Sequence, residues 1–271
     1  MPELPEVETT CRGLAPHLVG RRLEGASVRQ PSLRWPVPAG LSPLLAGRRV
    51  EYLVRRGKYL LLGVGTGTVL IHLGMSGSLR LVPADTPPQR HDHLDLLIEG
   101  GSAVRLTDPR RFGAVLWTAA PPAEHPLLAH LGPEPLGPGF DGGYLWQRAQ
   151  GRRVAVKALL MDSRVVVGVG NIYANEALFR SRIDPRLGAG RISALRFERL
   201  VEAVRTVLTE AIKQGGTTLR DFVAEDGRPG YFQQQLQVYG RAGRPCVRCA
   251  TALREVRLGQ RTTVFCPRCQ R

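Results

Sequence analysis

Between residues 20 and 118 the apolar side chains come in short bursts rather than at helical intervals. Val50 to Val54, Tyr59 to Leu62, Val69 to Leu73 and Leu79 to Val82 are apolar or alternating runs, punctuated by glycine. Alternation sends successive side chains to opposite faces of a sheet, so each run predicts a short strand. DLLIEGGSAVRL predicts a hairpin, with Gly100 and Gly101 supplying the positive φ of a tight turn. Many short strands joined by glycine-rich turns predict a β-sandwich or barrel-like domain. LGPEPLGPGFDGG (Leu131 to Gly143), with three prolines and five glycines in thirteen residues, marks a boundary. Beyond it the period lengthens. Ser193 is placed to cap a helix that carries Phe197, Leu200, Val201, Val204, Leu208, Ala211 and Ile212 on one face and stops at Gly215. Another helix is expected to start near Asn171.

The resulting fold class is α+β and multidomain: a β-rich domain with a leading helix over residues 1–131, a linker at 132–145, a helical domain at 146–240 and a terminal ribbon at 241–271. Composition adds a partner. Lys and Arg total 38 against 23 Asp and Glu, a net charge of +15. Such an excess implies a polyanion, nucleic acid or an anionic membrane surface. No uncharged apolar stretch is long enough to span a bilayer, and no secretion signal opens the chain, so a cytoplasmic nucleic-acid-binding protein is expected.

Cys246, Cys249, Cys266 and Cys269 form C-x2-C-x16-C-x2-C, the spacing at which two cysteine pairs grip one tetrahedral Zn²⁺. Two disulfides fit a chain without a secretion signal poorly. Around these cysteines the last thirty-one residues hold eight Arg against one Glu, so the ribbon is itself basic. Cys11, alone in the leading helix, reads as a small buried apolar residue. VVVGVGNIYANE sets Gly168 and Gly170 before Asn171 at a helix start, where a phosphate is favoured. A dinucleotide fold wants a small residue where Tyr173 stands, so a DNA phosphate is the better reading. Met75 lies between Gly74 and Gly77, and Arg110, Arg111 and Phe112 share another turn. Exposed long or flat side chains of this kind can push a base out of the stack and fill the gap, although each alone reads as core filler or a solvated face. Lys58, entering a strand, is either solvated, a phosphate contact or a proton donor.

The opening MPELPEVETTCRGL, with RGKYLL, IHLGMSGSLR, HDH, TDPRRFG, LGPEPL, GVGNIYA, GGTTLRDF, PGYFQ and the four-cysteine ribbon in that order, resembles bacterial formamidopyrimidine-DNA glycosylase over nearly the whole chain. The resemblance implies a β-sandwich, a helix–two-turn–helix domain and a zinc ribbon that binds one structural Zn²⁺. It implies a monomer acting on double-stranded DNA that contains oxidised purines or abasic sites. Pro2, exposed by removal of Met1, would be the nucleophile, with Glu3 shuttling protons and Glu6 supporting the pocket. Lys58 would contact phosphate and the damaged nucleotide. Arg261 is counted with these catalytic residues and also, with Asn171, as a phosphate clamp that pinches the duplex. His91 and His93 are expected to contact DNA. Met75, Arg110 and Phe112 would fill the void left by the everted nucleotide, Arg110 pairing with the orphaned base. Thr217, Thr218, Leu219, Arg220 and Tyr231 belong to the implied lesion-recognition loop.

A bland reading of the opening also exists: Pro5 is a good first helical residue, and Glu6 and Glu8 suit the helix's positive end. It leaves Pro2 unexplained. Two departures from the family pattern, Met161-Asp162-Ser163 and Asn175, bear at most on helix capping and touch no assigned chemical role. The alternatives are an endonuclease VIII-like enzyme for oxidised pyrimidines, disfavoured by GGTTLRDF, and a non-catalytic zinc-ribbon DNA-binding protein, disfavoured by the joint presence of Pro2, Glu3 and Lys58.

Overall fold

The computed structural model of the chain describes residues 2–216 and 235–271. These fall into two compact units, one of residues 2–129 and 214–216, the other of residues 130–213 and 235–271.

In the first unit the apolar bursts become two antiparallel four-stranded sheets. One runs in the order β1 (Leu23–Val28), β6 (Asp92–Ile98), β7 (Ser102–Thr107), β5 (Ser78–Pro83). The other runs β2 (Val50–Arg56), β3 (Tyr59–Val64), β4 (Gly67–His72), β8 (Ala114–Thr118). Leu60 and Leu62, Val69 and Ile71, Leu94 and Leu96, and Val104 and Leu106 all enter one core, the two-residue period expected of sheet faces. Helix α1 (Leu4–Leu18) adds Val7, Cys11, Leu14 and Leu18 to that core. Each such side chain, once buried, contributes about 1.5–3 kcal/mol. Cys11 is thus a packing residue, and burial pushes its thiol up to about 11. A short helix, α2 (Leu41–Leu45), interrupts the stretch read as strands and turns, burying Leu41 and Leu45. On the β6–β7 ladder Asp95 faces Arg105, which donates to both carboxylate oxygens at 2.9 Å, and Arg29 donates to the same two oxygens at 2.9 and 2.7 Å.

The second unit is helical. Helix α3 (Gly142–Ala149) is capped by Asp141, whose Oδ1 accepts the Tyr144 N–H at 2.7 Å. It therefore begins inside the stretch expected to be linker. Helices α4 (Val156–Met161), α5 (Asn171–Arg180) and α6 (Ala194–Lys213) follow. On α6 the buried face gains Ala203 and Val207, while Ile212, at the last turn, is only half-buried. The ribbon is not a separate body: strands β9 (Arg254–Leu258) and β10 (Arg261–Phe265) share a small core with α5, in which Phe179 and Val238 pack with Cys246, Leu253 and Val264.

Helix α5 ends in a Schellman motif: Arg182 N–H reaches Phe179 O at 3.1 Å and Ile183 N–H reaches Leu178 O at 3.0 Å. The left-handed position is normally glycine. Here it is Arg182, at φ 60°, a conformation that costs a residue with a Cβ about 1–2 kcal/mol.

Candidate active site and nucleic-acid interface

Helix α1 starts where the first two carboxylates meet its N–H groups. Glu6 Oε2 accepts the Glu3 N–H at 2.9 Å, and Glu3 returns the contact to the Glu6 backbone in a capping box. Leu4 is the first helical residue and Pro5 the second, one place later than expected. Pro2, Glu3 and Glu6 are all buried. The helix-start reading of the opening leaves room for the chemical one, because the cap that starts the helix also fixes Glu3 next to Pro2. Gly216 abuts Glu6: a Cβ there would lie 3.0 Å from Glu6 Oε1, and the backbone has φ +80°. Glu8 turns outward to Arg12 and Arg55, each at 2.7 Å. Burial pushes its carboxyl up, but the two guanidinium hydrogen bonds prevail and hold it below the usual range.

Lys58 occupies the second position of the two-residue turn between β2 and β3, after Gly57 at φ 59°. Its charge bears on His72, the last residue of β4. His72 Nδ1 accepts the Gly74 N–H at 3.0 Å, and its ring lies 4.8 Å from that of Tyr59. Burial foremost, then the cations of Lys58 and Arg34, depress its pKa to about 4. Sequence reasoning passed over this residue; a histidine between an apolar strand and a glycine turn was the available signal. The folded imidazole refuses a proton that the unfolded one accepts near 6.5, so stability should fall as pH drops from about 6.5 to about 4, by roughly 3 kcal/mol in all. Urea midpoints of wild type and His72→Gln, compared across that window, should converge at low pH; parallel profiles would refute the assignment.

The turns carrying Met75 and Arg110–Phe112 interlock. Asp108, fully buried, accepts Ser76 Oγ–H at 2.8 Å and the Gly113 N–H at 2.7 Å. The Arg110 N–H reaches Ser76 Oγ at 3.3 Å. A Cβ on Gly74 would sit 2.3 Å from the Phe112 carbonyl carbon, so the close approach of the two turns requires glycine there. Arg110 and Phe112 are exposed, with the guanidinium carbon 4.9 Å from the ring centroid, and Met75 is half-buried rather than exposed as expected. The residues expected to fill the void thus come from two turns held together by Asp108 and Ser76. His93 departs from its expected place at a DNA surface: it is only 7% exposed and its Nε2 lies 2.8 Å from Asp108 O, so it braces the turn from beneath. His91 is half-buried, 6.4 Å away ring to ring.

In the second unit, α5 begins at Asn171 after Gly170. Gly168 takes φ +82°. Asn175 carries more than helix capping. Its Nδ2 donates to Asn171 O at 2.6 Å and its Oδ1 accepts the Val264 N–H at 2.8 Å, tying the helix that bears Asn171 to the strand that bears Arg261. Arg261 is exposed and follows the two-residue turn Gly259–Gln260, both at positive φ. Lys157, which sequence reasoning missed, is buried in α4 and donates to Thr262 O at 2.9 Å and Thr263 Oγ1 at 2.7 Å. A lone lysine in the apolar run VAVKALLM was its signal.

The cysteine sulfurs all lie within 4.8 Å of one another, with Cys246–Cys269 at 3.9 Å and Cys249–Cys266 at 3.5 Å. A tetrahedron with Zn–S arms of 2.3 Å has edges of about 3.8 Å, so the four fit one zinc ion. Among the described residues no other such cluster occurs, and no helix is long and apolar enough to cross a membrane. Thr217, Thr218, Leu219, Arg220 and Tyr231 lie outside the described residues.

Three family models match in order: the formamidopyrimidine-DNA glycosylase N-terminal domain over residues 1–115, the formamidopyrimidine-DNA glycosylase H2TH domain over 131–223, and a zinc finger found in FPG and IleRS over 243–271. The chain is 60% identical over 271 residues to the formamidopyrimidine-DNA glycosylase of Methylococcus capsulatus and 59% identical to that of Stutzerimonas stutzeri, covering 100% of each. Among solved structures it is similar to the MutM (Fpg) protein of Thermus thermophilus, with TM-score 0.89, 40% identity and 99% and 98% of the two chains covered. It is also similar to the Lactococcus lactis Fpg in complex with DNA containing an abasic site, with TM-score 0.91, 31% identity and 99% of each chain covered. A Lactococcus lactis mutant bound to Fapy-dG-containing DNA gives TM-score 0.92 at 31% identity, covering 100% of each chain.

Proposed function

The chain belongs to the formamidopyrimidine-DNA glycosylase family, and from that premise we propose that it excises oxidised purines from duplex DNA and then cuts the strand at the abasic site. The observation that carries the reading is identity near 60% along the entire length of relatives so named. The Lactococcus lactis relative is bound to abasic DNA in one structure and, as a mutant, to Fapy-dG-containing DNA in another, which suits a glycosylase followed by a lyase.

In this reading the secondary amine of Pro2 attacks the deoxyribose C1′ as the base departs, forming a C–N bond and breaking the glycosidic bond. Loss of the ring oxygen's bond to C1′ yields an iminium, cationic because the amine is secondary. That cation draws electrons from the sugar, so the 3′ and then the 5′ phosphate leave. Glu3 is suited to give and take the protons of these steps. Lys58 and the Arg110–Phe112 turn would hold the opened nucleotide and the gap behind it, while Asn171 and Arg261 would hold the backbone. The zinc ion, when bound, supplies structure: it closes the ribbon from which Arg261 projects.

The test is incision of duplexes carrying 8-oxoguanine opposite cytosine, a formamidopyrimidine, or an oxidised pyrimidine. The purine lesions should be cut at least about tenfold faster, a difference of about 1.4 kcal/mol, leaving phosphate at both ends of the gap. A preference for the pyrimidine would transfer the chain to an endonuclease VIII-like substrate class. Base release without strand scission would remove the lyase half.

A further inference from the structure

The C-terminal end of α5, opposite Asn171, opens onto a second basic surface. Two cavities of 440 and 680 Å³ adjoin there, and Arg182 lines both. Arg196 and Arg199 stand in the first, Arg248 and Arg268 in the second. Some of this charge is already committed. Arg180 pairs with Glu210 at 3.0 Å, Arg196 donates to the Arg271 carbonyl, and Arg248 lies 4.5 Å over the Phe179 ring. Arg182, Arg199 and Arg268 are exposed and make no ion pair among the described residues.

Balancing a zinc–tetrathiolate centre, which carries two negative charges, would account for arginines beside Cys249 and Cys269. It does not account for Arg199, whose cavity has no cysteine. Nor does it account for the backbone at Arg182. The residue closing the Schellman turn is one that glycine fills without strain, yet arginine holds it at φ 60° and projects into both cavities. Strain retained at an exposed, unpaired cation points to a ligand.

Among the described residues the cavities are lined by no aromatic or large aliphatic side chain to anchor a protein partner or stack on a base. Guanidinium forks match phosphate oxygens. The ten-residue helix α5 separates this groove from Asn171 by about 15 Å. We propose that the groove is a second, sequence-independent site for the phosphate backbone of duplex DNA. It needs no excision chemistry, so the site and the catalytic reading stand or fall separately.

The zinc-loaded full chain carrying Arg182→Gln, Arg199→Gln and Arg268→Gln keeps the aliphatic stems and loses the charges. Sedimentation with an undamaged duplex of roughly one helical turn, about 10 base pairs, should show two duplexes bound per wild-type chain at low salt and one per variant chain. On longer undamaged duplex, the log–log salt slope should become shallower by about 0.9 for each phosphate that is no longer neutralised. A shallower slope without the second short duplex would assign the groove to a flanking stretch of the same DNA, still as a backbone site. Arg182→Gly should raise the melting temperature while lowering the slope. Unchanged stoichiometry and slope would overturn the proposal, as would polyglutamate binding there more tightly than duplex of equal charge, which would mark an acidic protein segment as the occupant. Borohydride trapping of a lesion duplex at saturation should be unaffected throughout.

Discussion

Acetylating the amine of Pro2, in chain from which Met1 has been removed, should abolish the borohydride-trapped adduct with lesion-bearing duplex and slow base excision by at least about 10³-fold, as expected when a nucleophile is lost. An α-amino group titrates near 7.7–8.0, so an appreciable fraction is a free base at neutral pH, whereas lysine near 10.4 would need heavy desolvation to match it. The capping box supplies a control that separates folding from chemistry. Glu3→Gln keeps an oxygen to accept the Glu6 N–H and should leave α1 and the melting temperature nearly unchanged. It removes the carboxylate proposed to move protons, so strand cutting should fall by about 10²–10⁴-fold. Duplex binding at equilibrium should persist in both proteins. Excision at the normal rate by the acetylated chain would sink the covalent mechanism, whatever the variant does.

The strands were legible because glycine turns and a two-residue period state a sheet locally, and the cysteine spacing states a metal site almost by itself. Helix α2 was not, since LSPLL is too short for a period and contains a proline. Residues whose role depends on tertiary neighbours were read less well. His93 stands in a polar-looking HDH motif yet is buried against Asp108, and Asn175 looked like a helix-terminal variation although it bridges α5 and β10. Met75 was placed on the right turn but with too much exposure, because only the packed turns reveal how far it sinks. Arg182 was invisible for another reason: a left-handed arginine has no sequence signature, since the Schellman hydrogen bonds rather than the residue type dictate its φ.

Removing zinc, by chelation or by Cys249→Ser, should weaken binding to damaged and undamaged duplex together, by at least about tenfold, the low end for an arginine withdrawn from a DNA interface. The reasoning starts from the ribbon's size. Its core is a handful of side chains around Phe179 and Val238, too little to order a segment this rich in arginine without metal. Structural zinc binding in small motifs is worth about 10–16 kcal/mol, most of it spent on folding them. With the metal gone, four cysteines crowded within 4.8 Å lose their common ligand. The Val264 N–H then pulls away from Asn175 and the Thr262 and Thr263 oxygens from Lys157, so a buried ammonium loses both of these acceptors. Both consequences displace the turn that presents Arg261. The sandwich has its own core and should survive, so calorimetry should retain its transition while the helical unit melts earlier. Lys157→Met offers a milder version: zinc stays bound, the ammonium's bonds are lost, and the salt slope should shift in the same direction as in Arg261→Ala. A zinc-free chain with undiminished affinity and an unchanged salt slope would take the ribbon, and Arg261 with it, out of the DNA interface.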